Sequence, residues 1–466
     1  MSQGRGRAAA LLLLAAPVLA LLAASCASPP DFNQIASATP DEPVRLHGAR
    51  GPLSARQSHA ILDRLRQENP NSDVLQRHLA FEEAITNTPL TVGNKVTLLR
   101  DGAASFRAIF AAIKSARNHI NLEYYTFEDV EQDNQHVVDL LIAKQQAGVQ
   151  VNLMYDAFGS SGTPGEVFDR LRNAGVKVLD FHPIGPEMVG KGYSLNDRDH
   201  RKILLVDGTL GIVGGVNLSK VYSSGPLPSA ATENTPPQYW RDTDIQIEGP
   251  AVADLERLFL THWRQQDDGE LNQAEFFPPQ RPVDAQIIHI IGSAPDRSRP
   301  RFYVTLLSAI RNAETRIWIT SAYFVPTHEE VEILRDAARR GVDVRLLLPS
   351  QSDSDLALDC GRSHYSDLLE VGVKIYELQG AILHSKTATI DGVWSVVGSS
   401  NFDGRSVLFN DEVDAVVLGR ETAEQLEAFF QDDLKNSKEI DLAQWKERPF
   451  DERLTEFWSK IWSYWL

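Results

Sequence analysis

An eighteen-residue stretch that occurs twice constrains this chain more than any other feature. His200 to Asn217 reads HRKILLVDGTLGIVGGVN, and His384 to Asn401 reads HSKTATIDGVWSVVGSSN. Each copy places His first, Lys two residues on, Asp seven on, Gly fourteen on and Asn seventeen on. Packing alone does not repeat a polar spacing of this kind, so the two regions are expected to fold alike. Ile203 to Val206 and Thr387 to Ile390 are β-prone runs, and each ends in Asp-Gly, the strongest short signal for a hairpin. A two-residue turn would set His200 opposite Gly215 and His384 opposite Ser399. Side chains alternate across a strand, so His and Lys share one face, while Asp leans to the other or sits in the turn. Asn217 and Asn401 become diagonal neighbours of the histidines. Each hairpin therefore gathers His, Lys, Asn and a small residue, with Asp in a structural place.

Such a face suits a tetrahedral oxyanion. Lys supplies charge, Asn supplies directed hydrogen bonds, and Gly or Ser leaves room for phosphoryl oxygens. Two half-sites facing each other would bring two imidazoles to opposite sides of one phosphorus. A lone His-x-Lys is ordinarily a surface strand; the exact repetition of spacing and turn favours an active site.

The H-x-K-x4-D pattern followed by G-x-x-N, present twice, resembles the signature of the phospholipase D superfamily. The resemblance implies an α/β fold of two phospholipase D-like domains in tandem, each a mixed β-sheet flanked by helices, related by a pseudo-twofold axis. It implies one active site completed within a monomer, with His200, Lys202, Asp207, His384, Lys386 and Asp391 as the catalytic signature. Asn217, Asn401, Gly215 and Ser399 would bind phosphate. By analogy with the family, His200 attacks phosphorus to form a phosphohistidine, and His384 protonates the leaving alcohol and later deprotonates the incoming one; the residues by themselves leave open which His does which. No metal and no cofactor is implied. The family also orients each His with a downstream carboxylate: Glu412, at His plus 28 in the second copy, and Asp242, at His plus 42 in the first. The difference in spacing is an insertion rich in Pro, Ser and Thr, Ser223 to Gln238. A free His titrates at about 6.5, a nearby lysine disfavours imidazolium, and a carboxylate favours it. Unequal neighbours could therefore push the two rings apart.

Outside the motifs the halves echo each other. Phe106 to Ala116 leads into the apolar run Ile120 to Tyr125, as Val304 to Ala313 leads into Ile317 to Phe324. Val137 to Ala147, Gly148 and Val149 to Tyr155 match Val331 to Arg340, Gly341 and Val342 to Leu348. Helix and strand alternating with Gly between them indicate a largely parallel sheet covered by helices, to which the motif hairpins add antiparallel strands. Closing helices are expected at Ala251 to Trp263 and Thr422 to Leu434. The expected domains are 88–270 and 271–440, after a tether and helical lead-in at 27–87.

Tyr323-Phe324-Val325-Pro326, the run Ser399 to Ser406, Asn410 to Glu412, Glu123 to Phe127 and Glu248 to Val252 resemble bacterial cardiolipin synthases. That likeness implies a phosphatidyltransferase acting on anionic phospholipids, with phosphatidylglycerol as acceptor and phosphatidylethanolamine as a conceivable donor. A hydrolytic phospholipase D, using water, is the alternative; a metal-independent nuclease is a third. The 63 acidic residues against 46 basic give a net charge of −17, which argues against a nucleic-acid partner. Tyr125 and Tyr323 read equally as core and as walls of the site. Arg405 reads as the partner of a structural carboxylate or of a second lipid phosphate.

Both ends suggest a membrane. Arg5 and Arg7 precede the apolar run Ala8 to Ala24, as in an export signal. Ala23-Ala24-Ser25-Cys26 resembles a bacterial lipobox, which would lipidate Cys26 and hold the enzyme on the cell envelope facing the periplasm; an uncleaved signal anchor is the other reading. In the last ten residues Phe457, Trp458, Ile461, Trp462, Tyr464, Trp465 and Leu466 crowd together, either as a stripe packed on the body or as a membrane-interface anchor.

Overall fold

The alternating helical and apolar runs build one seven-stranded design twice. The computed structural model describes residues 31–38, 43–70, 72, 74–184, 196–223, 240–266, 269–295 and 300–449. In the first half the strands lie in the order Lys177–Phe181, Gln150–Asp156, His119–Tyr124, Lys202–Val206, Leu210–Gly214, Thr243–Glu248 and Leu90–Arg100. The second half repeats it with Lys374–Leu378, Asp343–Pro349, Arg316–Thr320, Thr387–Ile390, Trp394–Gly398, Asn410–Leu418 and Gln286–Ser293. In both, the first three strands pair in parallel and the remainder antiparallel. Leu90–Arg100 also pairs with Gln286–Ser293, which joins the two sheets.

The parallel strands are connected through helices because a parallel pair needs a crossover long enough to cover the sheet. Val137–Gln146 and His328–Arg339 are two such crossovers, and each is followed by a glycine, Gly148 or Gly341, at a φ of 91°. That left-handed conformation ends the helix and turns the chain into the next strand. The closing helices are Val252–Gln266 and Arg420–Leu434. One apolar cluster fills the first half around Phe106, Leu122 and Leu153, and another fills the second around Ile317, Leu346 and Trp394. A third draws Ile203, Val213 and Ile245 together with Ile288, Val397 and Val413, so the halves share a core.

The motif hairpins differ by one residue from the two-residue expectation. Asp207 and Gly208 have φ of 51° and 62°, and Thr209 N donates to the Val206 carbonyl, which is the expected tight turn. The ladder nevertheless resumes at Val206↔Leu210, and in the second copy at Ile390↔Trp394. The third loop residue is carried as a bulge, which shifts Gly215 and Ser399 out of register with the histidines.

The lead-in helix Ala55–Glu68 begins with a capping box formed by Ser54 and Gln57, and its buried face joins the second-half core. Beneath it the buried Glu82 bonds His78 and the sheet residues His289 and Trp394. Burial alone would raise its pKa, but the two imidazoles hold it well below the usual carboxylate range. Residues 1–30, including Cys26 and the export-like run, lie outside the described residues, as do 224–239 of the insertion and the aromatic terminus from 450 onward. No described helix is long and apolar enough to cross a membrane.

Candidate active site

Both His-x-Lys pairs sit where the central parallel strands end, the edge at which open α/β sheets place their ligands. Lys202 pairs with Tyr124, so Tyr125 emerges beside the first motif; its ring centre lies 5.2 Å from that of His200 and 5.3 Å from Lys202 Nζ. In the second half Thr387 pairs with Thr320, and Tyr323 lies 6.1 Å from the His384 ring and 5.9 Å from Lys386 Nζ. Both histidines line a single cavity of about 400 Å³, together with Tyr125, Asn217, Tyr323 and Asn401. Residues far apart in sequence thus meet at one place.

The carboxylates that orient the rings are exchanged between the halves. His200 Nδ1 bonds Glu412 Oε2 at 3.0 Å, and His384 Nδ1 bonds Asp242 Oδ2 at 2.7 Å. Each carboxylate therefore serves the histidine of the other repeat, although Glu412 follows His384 in sequence and Asp242 follows His200. Two short parallel ladders enforce this. Arg198–Asp199, just before His200, pairs with Asn410 and Asp411, and Ile382–Leu383, just before His384, pairs with Trp240–Arg241. The register is locked by His200 N donating to the Asp411 carbonyl at 2.9 Å and His384 N to the Arg241 carbonyl at 2.8 Å. With Nδ1 committed to a carboxylate, Nε2 is the nitrogen each ring offers to a ligand.

The small residues belong to this framework and not to the cavity wall. A Cβ on Gly215 would fall 2.1 Å from Asp242 Oδ1, so the glycine lets that carboxylate approach. Ser399 is fully buried and its hydroxyl donates to Glu412 Oε2 at 2.5 Å. The expected phosphate-binding place of Gly215 and Ser399 is corrected accordingly. Asp207 and Asp391 are likewise removed from the cavity. Asp207 accepts from the backbone N–H groups of Arg117, Asn118 and His119, and Asp391 from those of Glu314, Thr315 and Arg316. They clasp the hairpin turn to the strand beside it.

Asn217 and Asn401 do line the cavity, each less than a tenth exposed. Asn217 Oδ1 accepts from Thr126 N at 3.1 Å, while Asn401 Oδ1 is buried without a hydrogen-bond partner. The turns that carry them are held by Asp244, which accepts from Val216 N, and Asp414, which accepts from the Ser400 hydroxyl. The repeated glycines Gly214 and Gly398 are required because a Cβ at either would strike these aspartates. Asp-x-Asp at 242–244 and Glu-x-Asp at 412–414 were the sequence signal for this second pair of supports.

Burial in a cationic site dominates the electrostatics. The His200 imidazole is pushed down to about 4 by burial and by Lys202 and Lys386, against the pull of Glu412. His384 is lowered too, by burial and Lys386, opposed by Asp242. Burial takes Lys202 down to about 7 and Lys386 down to about 8. Burial would raise Glu412, but His200 and Lys202 hold it below the ordinary carboxylate value. The protein's own charges and burial therefore favour neutral imidazoles, and an entering phosphodiester anion would raise both rings and both lysines.

Several wall residues had no marked motif. Tyr222 Oη lies 2.9 Å from His384 Nδ1, and the Trp240 ring lies 5.2 Å from that of His384. They flank the inserted segment, which has no counterpart in the second half. Arg198, Arg405 and Asn410 also line the cavity. Among the described residues Arg405 has no ion pair with a structural carboxylate, one of its two expected readings; its Nη2 donates to the Asn196 carbonyl at 3.3 Å. One carboxylate–imidazole group could coordinate a cation: Glu123, Asp199 and His262 present ligand atoms within 4.8 Å of one another. None of the three lines the cavity, and Arg201 already bonds Glu123 and Asp411 there.

Residues 109–225 and 306–434 match the family model described as cardiolipin synthase, PLD-like domain. A cardiolipin synthase of Geobacillus thermodenitrificans is 33% identical over 388 residues, 82% of this chain and 74% of that one. A cardiolipin synthase of Alkalihalophilus pseudofirmus is 34% identical over 376 residues, 80% and 72% of the two chains. Among solved structures, the phosphatidylserine synthase of Haemophilus influenzae Rd KW20 superposes with a TM-score of 0.62 over 87% of this chain and 100% of that one. At 11% identity this is a likeness of fold.

Proposed function

The chain belongs to the cardiolipin synthase family of PLD-like proteins, and from that premise we propose that it joins two phospholipids through a phosphohistidine intermediate, with phosphatidylglycerol as acceptor. It is a phosphatidyltransferase of the phospholipase D superfamily. The observation that carries the mechanism is the pair of imidazoles on one cavity, each with Nδ1 held by a carboxylate of the other half.

The donor phosphodiester binds between Lys202, Lys386, Asn217 and Asn401. His200 Nε2, neutral with its lone pair exposed because Nδ1 faces Glu412, attacks phosphorus. The bond from phosphorus to the headgroup oxygen breaks, and His384 Nε2 gives that oxygen its proton. The imidazolium form of His384 is supported by Asp242 and by the negative charge of the bound phosphate. The headgroup alcohol leaves, and the phosphatidyl group remains on His200. A hydroxyl of phosphatidylglycerol then enters, loses its proton to His384 and attacks phosphorus, and the P–N bond breaks. The lysines and asparagines stabilise the charge on the phosphoryl oxygens in both steps.

Membrane lipids as substrates agree with the export-like run and lipobox-like end at residues 1–26, where a lipidated Cys26 would keep the cavity near an envelope membrane facing the periplasm. The decisive experiment is incubation of the purified protein with phosphatidylglycerol vesicles and separation of the products. Cardiolipin and free glycerol in equal amounts are expected. Phosphatidic acid without cardiolipin would mean that water is the acceptor and would sink the synthase reading.

A further inference from the structure

We propose that Arg405, flanked by Arg198, forms a second phosphate subsite in the cavity, which seats the phosphodiester of the acceptor phospholipid while its hydroxyl faces the phosphohistidine. The inference rests on the transferase reading above and deepens it. Arg405 stands in the first turn of the short helix Gly404–Leu408, four residues after Asn401, and lines the same cavity as both histidines. Other partly or fully buried arginines of the fold are ion-paired: Arg100 with Asp432, Arg201 with Glu123, Arg241 with Asp433, Arg316 with Glu427 and Arg362 with Glu377. Among the described residues Arg405 has a backbone carbonyl and no carboxylate within ion-pair reach. Asp403, on the same wall, caps Ser406 N of its own helix at 2.7 Å, and burial pushes its carboxyl up to about 6 against the pull of the Arg405 charge, which lies outside ion-pair distance.

Arg198 brings a second guanidinium to the same cavity. It is buried on the cavity wall, 3.7 Å from Asp156 Oδ1 and stacked at 5.6 Å on the Phe158 ring. Both guanidiniums reach the Tyr125 hydroxyl electrostatically and oppose the rise that burial forces on it. Since Tyr125 packs on His200, the two cations lie on the flank of the proposed nucleophile. Asp353 also lines the cavity but accepts from the Tyr323 hydroxyl at 2.5 Å, which leaves Arg405 as the guanidinium open to a second anion there. The two lysines, already lowered by burial, are occupied by the reacting phosphodiester. The product carries two phosphodiesters a glycerol apart, so the acceptor brings its own negative charge into the cavity at that distance. A guanidinium stays charged at any working pH and presents a fork matched to two phosphoryl oxygens.

The test offers acyl-labelled phosphatidylglycerol to the whole enzyme in the presence of n-butanol, an acceptor without phosphate, and compares cardiolipin with phosphatidylbutanol. Arg405→Gln should lower the ratio of cardiolipin to phosphatidylbutanol by about tenfold or more, the worth of a charge-assisted hydrogen bond. Arg405→Lys, which keeps charge and loses the fork, should recover part of the ratio. A ratio unchanged in both variants overturns the subsite, whatever happens to total turnover. A wild-type enzyme that makes phosphatidylbutanol and no cardiolipin overturns the acceptor assigned in the previous section. The subsite is then read from inhibition of butanol transfer by glycerol 3-phosphate, expected to weaken about tenfold in Arg405→Gln; equal inhibition of both enzymes overturns it.

Discussion

His200 and His384 occupy equivalent places in a duplicated frame, yet their surroundings differ. Glu412, which holds His200, also accepts from Ser399, Ser406 and Asn410, so that carboxylate is braced from several sides. Asp242, which holds His384, accepts from Thr243 N and lies against Gly215, while aromatic residues and a lysine crowd the ring itself: Tyr222, Trp240, Tyr323 and Lys386. Duplication supplies two equivalent imidazoles, and the later divergence of their neighbours is what can give them separate tasks. A rigidly braced ring suits a nucleophile that must attack along one line. A ring between a carboxylate, a hydroxyl and an ammonium suits a group that takes and returns a proton.

Replacing the histidines singly should produce the largest effects and is the most direct way to break that assignment. His200→Ala is expected to abolish transfer, and His384→Ala to lower it by about 10²- to 10⁴-fold, the range of a positioned acid and base. The deciding measurement is trapping with a donor labelled at phosphorus. Label should accumulate on His200 when His384 is replaced, and none should be trapped on His384 when His200 is replaced. The opposite pattern exchanges the roles.

The exchange of carboxylates can be tested at the next level of effect. Glu412→Gln should shift the titration of the His200 ring, followed by NMR, and leave that of His384 nearly in place, although His384 is the histidine of its own repeat. Asp242→Asn should do the reverse. Each should lower kcat by about 10²-fold, since an oriented base loses much of its advantage with its partner. A Glu412→Gln variant that moved only His384 would contradict the crossed arrangement.

This crossing marks where the sequence stopped being informative. Spacing and the echo between the halves picked out both His-x-Lys pairs, both asparagines and the duplicated α/β frame, because hairpin turn, strand alternation and helix periodicity are local properties; the two carboxylates came only with the family resemblance. Which carboxylate meets which imidazole depends on the ladders that Arg198–Asp199 and Ile382–Leu383 make with the opposite half, and two-residue strands leave no periodicity to read. The one-residue bulge at Thr209 and Val393 escaped for a similar reason, since Asp-Gly signals a turn without saying where the ladder resumes. Gly215 and Ser399 were then placed at the phosphate when they serve the carboxylates. Tyr222 and Trp240 adjoin an insertion without an echo, so comparing the halves could not expose them.

The two small residues give a milder contrast. Gly215→Ala forces a methyl against Asp242, and overpacking of this kind costs about 1 to 3 kcal/mol, so both melting temperature and kcat should fall. Ser399→Ala removes a hydroxyl that donates to Glu412, which keeps other donors, and that accepts from Val413 N, which loses this acceptor, so about 1 to 3 kcal/mol is expected. A Gly215→Ala variant that melts where the unaltered protein does would show that Asp242 moves freely and is not held as Glu412 is.

The pH profile distinguishes the lysines from the imidazoles. Lys202 at about 7 and Lys386 at about 8 lose protons as pH rises through that window, so the charge that binds the donor phosphate is lost on the alkaline side. The kcat/KM of the free enzyme should therefore decline above about pH 7 to 8. In Lys386→Arg, whose charge persists, the decline should move upward even if the rate is lower. A profile flat to pH 9 would mean that both ammonium groups stay charged.

The smallest expected effect tests the Tyr222 hydroxyl beside His384. Tyr222 Oη and Asp242 Oδ2 both approach Nδ1, at 2.9 and 2.7 Å, but that nitrogen has a single hydrogen to donate. The carboxylate, charged and closer, should take it, and the phenol, kept protonated by burial, adds a secondary contact. Tyr222→Phe should then cost about 1 kcal/mol, a few-fold in kcat, with the His384 titration nearly unmoved. Loss as deep as that of Asp242→Asn would make the phenol the true orienting partner, and the two halves would then differ in the chemistry of their support as well as in its strength.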